Sequence, residues 1–132
     1  MIIVTTNDIP GYQVTAVIGE VMGVTVRSRN IGAQFAAGLR SLAGGELPEM
    51  TRNLLESRGE VMTRLVGEAE ARGANAILAA RFDASSMGDT WTEICAYGTA
   101  VQVRPIPSGE PGATPQSSEQ ARRQGAQQDS LE

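Results

Sequence analysis

Hydrophobic and polar residues alternate most clearly between positions 12 and 26. A period of two is typical of a β-strand with one face buried. The alternating apolar residues are Val14, Ala16 and Ile18 on one parity and Val17 and Val21 on the other. Gly19 and Gly23 interrupt this stretch, and a glycine inside a strand usually marks a bulge or a close approach of another backbone. We therefore predict one long, bent strand or two short ones.

The spacing changes to that of helices over the next 45 residues. Apolar residues at 31, 35, 39 and 42 predict a short amphipathic helix, capped by Ser28 or Asn30 and ended by glycines 44 and 45. A longer helix is predicted from Pro48, a favoured first helical residue, to just before Gly73. Glycines 59 and 67 inside it each cost about 1 kcal/mol relative to alanine. The helix therefore either packs closely at those points or depends on tertiary contacts.

A β-hairpin is predicted after the long helix. Residues 76–83 have a strand pattern, residues 85–89 supply turn residues, and residues 90–104 form a return strand that is apolar on both faces in its second half. A strand that is apolar on both sides must be covered on both sides. One long and one short helix cover only one face of a three-stranded sheet. We therefore expect neighbouring subunits to bury the other face or the strand ends.

The composition changes after Ile106. Residues 107–132 are rich in proline, glycine, serine and glutamine, and Leu131 is their one large aliphatic residue. Such a segment buries too little apolar area to offset its ordering entropy, so we predict a disordered tail over 107–132 and a folded domain over 1–106. A frayed helix over 119–128 and a partner-binding peptide are the alternatives.

Charge and composition exclude several functions. All 11 basic residues are arginine, histidine is absent and there is a single cysteine. Histidine-dependent nucleophile systems, lysine Schiff bases and a closed structural zinc site within one chain are therefore excluded. The net charge is −4, and residues of both signs are interspersed along the chain. We therefore expect neither nucleic acid nor a membrane surface as a partner. The N-terminus lacks the basic flank and apolar length of a signal sequence, which leads us to expect a cytoplasmic protein.

Three segments carry a family resemblance. They read GGELPEMT at 44–51, ESRGEVMTRLVGEAEARGANAI at 56–77 and TEICAYGTAVQV at 92–103. Together they resemble the YbjQ-like family of small bacterial proteins over residues 1–106. The resemblance implies an α+β fold with a dodecin-like β-α-β-β subunit, a small antiparallel sheet and one long and one short helix. It also implies a ring-shaped homopentamer. The family is labelled as heavy-metal-binding and has no established reaction.

The metal label directs attention to the last strand. Glu93, Cys95 and Tyr97 share one parity there, so their side chains point the same way. A ring would bring several copies of Cys95 near its axis, with Glu93 as a second ligand, although soft metals prefer thiolate and imidazole donors. A lone cysteine on an apolar strand is more often a small buried hydrophobe.

A second candidate is a polar cluster across the hairpin. Arg81 and Asp83 share a parity on their strand and would face Glu93, with Tyr97 nearby. This cluster would bind a small ligand; the simpler interpretation is an ion pair across strands or between subunits. We assign no catalytic residue and no cofactor beyond a possible heavy-metal ion.

Three functional hypotheses follow. The first is a non-enzymatic homopentameric module that binds a small ligand or a heavy-metal ion through the last two strands. The second is an enzyme with a site between subunits, in which Arg81 is an electrostatic clamp and Glu93 or Asp83 an acid or base. The third is a scaffold whose tail recruits a partner.

Overall fold

The computed structural model describes residues 1–28, 44, 48–88 and 91–132. Its elements in chain order are strands β1 (Ile2–Ile3) and β2 (Tyr12–Ser28), helix α1 (Pro48–Ala71), strands β3 (Ala76–Met87) and β4 (Trp91–Pro105), and helix α2 (Pro115–Asp129). The strands form one sheet in the order β1-β3-β4-β2. This arrangement confirms the predicted α+β class. The predicted short helix over 31–42 lies outside the described residues.

Strand β2 is a single long strand, which is the first of the two predicted alternatives. Gly19 has a φ of 128°, a value that L side chains rarely adopt. A Cβ atom at Gly23 would lie 2.4 Å from the carbonyl oxygen of Val61 and 2.7 Å from the backbone nitrogen of Leu65. The predicted close approach of a backbone therefore occurs at Gly23, where β2 packs on α1.

Helix α1 has the predicted ends. It begins at Pro48, and Gly73 follows it with a φ of 83° and donates its N–H to the carbonyl of Glu70 at 3.0 Å. Among the described residues, no atom lies within 4 Å of a Cβ atom built at Gly59 or Gly67. The described part of the chain therefore shows no close packing at these two glycines. The helix depends on tertiary contacts elsewhere, at its buried residues Ser57, Val61, Leu65 and Ala69.

The hairpin is longer than predicted. Strand β3 continues to Met87, so the turn predicted over 85–89 was placed too early. Residues 81–87 are all exposed, and serine is compatible with an exposed strand even though it is common in turns. Because only three residues join β3 to β4, these two neighbouring strands are antiparallel.

The first strand was missed by the sequence interpretation. Ile2 and Ile3 pair in parallel with Ala76 and Ile77, so the sheet has four strands and is mixed, not wholly antiparallel as expected. A two-residue strand is too short to show a period. Its position is fixed by backbone bonds, among them Val4 N–H to the carbonyl of Ile77 at 3.0 Å.

Two compact units make up the chain. The first comprises Met1–Val21, Ala69–Ala80 and Gly98–Glu132, and the second comprises Met22–Glu68 and Arg81–Tyr97. The core of the first consists of Ala76, Leu78, Val101 and Val103, against which Ile2, Val4, Ile9 and Tyr12 pack. The buried apolar side chains of the second include Val61, Leu65, Ile94 and Ala96.

The C-terminal segment is not a disordered tail over its whole length, and that prediction is wrong for α2. Thr114 and Ser117 form a reciprocal capping box at the start of this helix, with Pro115 in its first turn. Ser117 is fully buried, and its hydroxyl donates to the carbonyl of Ile106 at 2.8 Å. The composition misled because the segment is held by hydrogen bonds and a close backbone contact, which need little apolar area.

Gly11 provides that close contact from the N-terminal side. It has a φ of 85°, and a Cβ atom here would lie 2.4 Å from Oγ1 of Thr114. Its carbonyl accepts the N–H of Ile106 at 2.8 Å. We call Gly11, Ile106, Thr114 and Ser117 the C-terminal clasp, because together they hold the last helix against the start of the chain.

Candidate functional site

Strand β4 has different surroundings on its two faces within the second unit. Ile94 and Ala96 are buried, whereas Glu93 and Cys95 are half-buried and Tyr97 is exposed. Alternate residues of a strand point to opposite faces. Glu93, Cys95 and Tyr97 therefore share the more exposed face, as the sequence predicted.

Contacts with α1 show which face of the sheet packs on this helix and which face points away from it. The guanidinium carbon of Arg58, on α1, lies 5.3 Å from the ring centre of Phe82. Phe82 therefore faces α1, and its neighbours Arg81 and Asp83 lie on the opposite face of β3. Gly23 of β2 likewise faces α1, so Met22 lies on the opposite face of its strand.

These placements define one surface, which we call the open face. It is the face of the sheet in the second unit that points away from α1. Its members are Met22, Val26, Arg81, Asp83, Glu93, Cys95 and Tyr97. Met22 and Val26 are 44% and 51% exposed, which is high for apolar side chains in a strand. The five residues singled out from the sequence thus lie on one face of the sheet, and their role in binding stays a prediction.

The open face combines several kinds of chemistry. Asp83 accepts the N–H of Ala84 through Oδ1 at 3.1 Å. The sulfur of Cys95 lies 3.9 Å from the carbonyl oxygen of Ala96, at the outer limit for a thiol donor. A guanidinium, two carboxylates, a phenol and apolar side chains therefore share one surface.

The donor set of one chain does not fit a heavy-metal site. Zinc and softer ions take three or four ligands, mainly thiolate and imidazole. The whole sequence offers one thiol and no imidazole. Over residues 1–28, 44, 48–88 and 91–132, no three cysteine, aspartate, glutamate or histidine side chains come close enough to hold an ion.

Charged residues between β2 and α1 in the second unit form a structural network. Arg64 donates to Glu60 at 2.7 Å, one helical turn away, and also to the carbonyl of Val24. Glu60 also pairs with Arg27. The pair of Arg64 and Glu60 joins neighbouring turns of α1, and the contacts with Val24 and Arg27 extend this network to β2.

A polar depression in the first unit was missed by the sequence interpretation. It has a volume of about 670 Å³, and its lining includes Glu110, Thr114, Ser118 and Arg122. The composition of this segment predicts a disordered tail, which would form no such depression. The sequence signal was threonine followed by proline, a helix start that the composition obscured.

Glu119 lies on α2, next in sequence to Ser118 of this depression, and its ionised form is stabilised. Its pKa is lowered below the ordinary value of 4.5, first by a hydrogen bond from Arg122 and next by one from Arg123. Both arginines lie on the following turn of the helix, and Arg123 donates at 3.0 Å. The positive charges of the two arginines therefore offset the negative charge of Glu119 within the helix.

Comparison with known proteins confirms the family. Residues 1–104 match the profile of the YbjQ family, whose description reads "putative heavy-metal-binding". A UPF0145 protein of Acidothermus cellulolyticus is 64% identical over 103 residues, which are 78% of this chain and 95% of that protein. One of Mycobacteroides abscessus is 59% identical over 106 residues, which are 80% of this chain and 99% of that protein.

A solved structure supports the fold. It is a protein of unknown function from Pediococcus pentosaceus, of the DUF74 family, with a TM-score of 0.54 and 12% identity. The similarity covers 78% of this chain and 97% of that one. No helix in the described part of this chain is long and apolar enough to cross a membrane.

The described elements define the class: a small α+β protein with a mixed four-stranded sheet and two helices. Within that class, the chain belongs to the YbjQ family of UPF0145 proteins.

Proposed function

We propose that this protein is a non-enzymatic homopentameric module that binds a small ligand on the open face. The observation that carries the proposal is the exposure of apolar side chains along β2, at the edge of the sheet, next to the mixed polar surface of β3 and β4. The number of subunits rests on the family resemblance alone.

The edge of the sheet supports assembly. Strand β2 is an edge strand of 17 residues. A long edge strand with apolar side chains is a template for pairing with another chain. Val14, Val17, Met22 and Val26 of β2 are between 42% and 70% exposed. A second copy would remove these side chains from water.

The open face supports ligand binding. Binding sites combine apolar surface with a few polar groups that fix the orientation of a ligand. Arg81 would pair with an anionic group, while Asp83 or Glu93 would accept hydrogen bonds from a donor. Tyr97 would stack on an apolar or aromatic part of the ligand. A small polar molecule with an anionic group and a flat or apolar portion matches this set.

Assembly is tested by native mass spectrometry of the untagged full-length protein. We expect a pentamer, and we expect Val17→Glu to shift it to smaller species because a charge would be buried at the interface. Leu131→Glu is the matched control, since Leu131 is exposed and lies outside β2. A wild-type monomer at micromolar concentration would contradict the assembly.

Ligand binding is tested in the same spectra by the mass of small molecules retained from the producing cells. We expect a retained species in the wild type that is lost in Arg81→Gln and kept in Arg122→Gln, an equal change of charge on α2. The absence of any retained species from the wild type would contradict ligand binding. Chemical conversion of that species by the protein would favour the enzyme hypothesis, with Arg81 as clamp and Asp83 or Glu93 as acid or base.

A further inference from the structure

We infer that this chain does not bind a heavy-metal ion, although its family carries that description. The ligand of the open face would then be an organic molecule that needs no metal. The inference rests on the donor atoms of this chain and stands whether or not the proposed ligand binding is correct.

The supply of soft donors is fixed by the sequence. Each subunit has one thiol, that of Cys95, and no imidazole. A tetrahedral zinc site needs four ligands when structural and three when catalytic, and copper(I) prefers thiolates and thioethers. Any zinc site in one subunit would therefore consist almost entirely of carboxylates, which suit magnesium, calcium and manganese. A copper(I) site would need several of the five methionine thioethers beside the one thiol.

The residues near Cys95 do not supply the missing metal ligands. Glu93 and Tyr97 share its face, but each is two residues away along the strand, a separation of about 7 Å. Asp83 shares the open face from β3, yet in the described residues no three such donors are brought together. At most an isolated thiol and a carboxylate would meet an ion here.

Cys95 also has the surroundings of a packed residue. It is half-buried on its own face of β4, and its sulfur lies 3.9 Å from the carbonyl oxygen of Ala96. A cysteine in such a place behaves as a small hydrophobe. Only a ring that gathers the Cys95 side chains of several subunits around its axis would supply enough thiolates, and such a site would hold one ion per ring.

The test is metal analysis of the assembled full-length protein. The protein is reduced, stripped with a chelator, loaded with zinc or with copper(I) and desalted, and the metal is then measured per subunit. We expect less than one metal ion per assembled ring, and the same small amount in the wild type and in Cys95→Ser. Cys95→Ala is prepared alongside, in case serine at this half-buried position disturbs folding, and circular dichroism verifies the fold of each variant.

Stoichiometric metal would overturn the inference in either of two ways. One ion per subunit or per ring that is lost in both cysteine variants would show a thiolate site. The same amount retained in both variants would show a carboxylate site. Protection of the wild-type thiol from a chromogenic reagent by added zinc would likewise overturn it. We expect Arg81→Gln to leave the metal content unchanged. Failure of the proposed ligand binding, which this variant tests, is therefore distinguishable from failure of the present inference.

Discussion

At the scale of single residues, glycines in this chain have opposite roles according to what surrounds them. Gly23 leaves room for the backbone of α1, which would clash with any Cβ atom at that position. Gly59 and Gly67 have no close neighbour in the part of the chain that the structure describes, so there they contribute only the conformational cost of glycine in a helix. Alanine is therefore expected to destabilise the protein at the first position and to stabilise it at the other two.

Gly23→Ala should lower the free energy of unfolding by about 1–3 kcal/mol or more, because the contacts are with backbone atoms that cannot rotate away. Gly67→Ala is the control and should raise it by up to about 1 kcal/mol. Urea denaturation followed by circular dichroism measures both. If Gly23→Ala were as stable as the wild type, the close packing of β2 on α1 would be wrong.

Glu119 provides a prediction about pH. Because its pKa is lowered in the folded chain, its ion pairs stabilise α2 above the unfolded pKa, and this contribution is lost as the pH falls through the folded value. In an NMR titration, the Glu119 carboxyl should titrate below 4.5. Arg122→Gln should move the midpoint upward, since the hydrogen bond from Arg122 is the largest cause. An unchanged midpoint would contradict this assignment.

At the scale of elements, the sequence predicts well those helices and strands whose hydrophobic pattern repeats several times. It predicts poorly an element whose position depends on a contact with a distant part of the chain. The ends of α1 follow from Pro48 and Gly73, which act locally through backbone geometry. Strand β1 has no periodicity to detect, since its pairing with β3 is a contact between distant parts of the chain.

The sequence likewise predicts one part of the candidate site and not the other. Alternation along β4 places Glu93, Cys95 and Tyr97 on one face without any tertiary information. The openness of that face depends on which side α1 covers, which the contact between Arg58 and Phe82 reveals and the sequence does not. Helix α2 was obscured because its anchor, Ser117, is a polar residue that is fully buried, whereas composition counts polar residues as solvent-exposed.

The anchoring of α2 by Ser117 gives a prediction for this element. Ser117→Ala removes the bond to the carbonyl of Ile106 and half of the capping box, so it should destabilise the docked helix by about 1–2 kcal/mol. Hydrogen exchange measured by mass spectrometry should show faster exchange over residues 115–129. Ser130→Ala, at the exposed end of the helix, is the matched control. Equal exchange in the two variants would contradict the anchor.

At the scale of the whole molecule, the C-terminal extension lies outside the family match. The family match ends at residue 104, and 106 residues of this chain account for 99% of the Mycobacteroides protein. The contacts of α2 with Gly11 are therefore an addition to a domain that exists without them. The predicted division at residue 106 stays a prediction, and the hydrogen bond from Ser117 to Ile106 crosses it.

Removal of residues 107–132 should leave a folded protein with the same number of subunits and a melting temperature several degrees lower, because the contacts of Thr114 and Ser117 with Gly11 and Ile106 are lost. Differential scanning fluorimetry and native mass spectrometry measure the two properties. An unfolded product would contradict an accessory role for the extension. A partner captured by the full chain and lost with this deletion would favour the scaffold hypothesis.

The C-terminal clasp has a further consequence for how the protein is made. It joins Gly11 to Ser117, residues near opposite ends of the sequence, and contacts between such distant residues form late in folding. During synthesis, the turn at Gly11 leaves the ribosome long before the helix that will pack on it. Helix α2 therefore completes the packing of a turn that was translated much earlier, and a chain that terminates before α2 would lack the contacts of the clasp at Gly11.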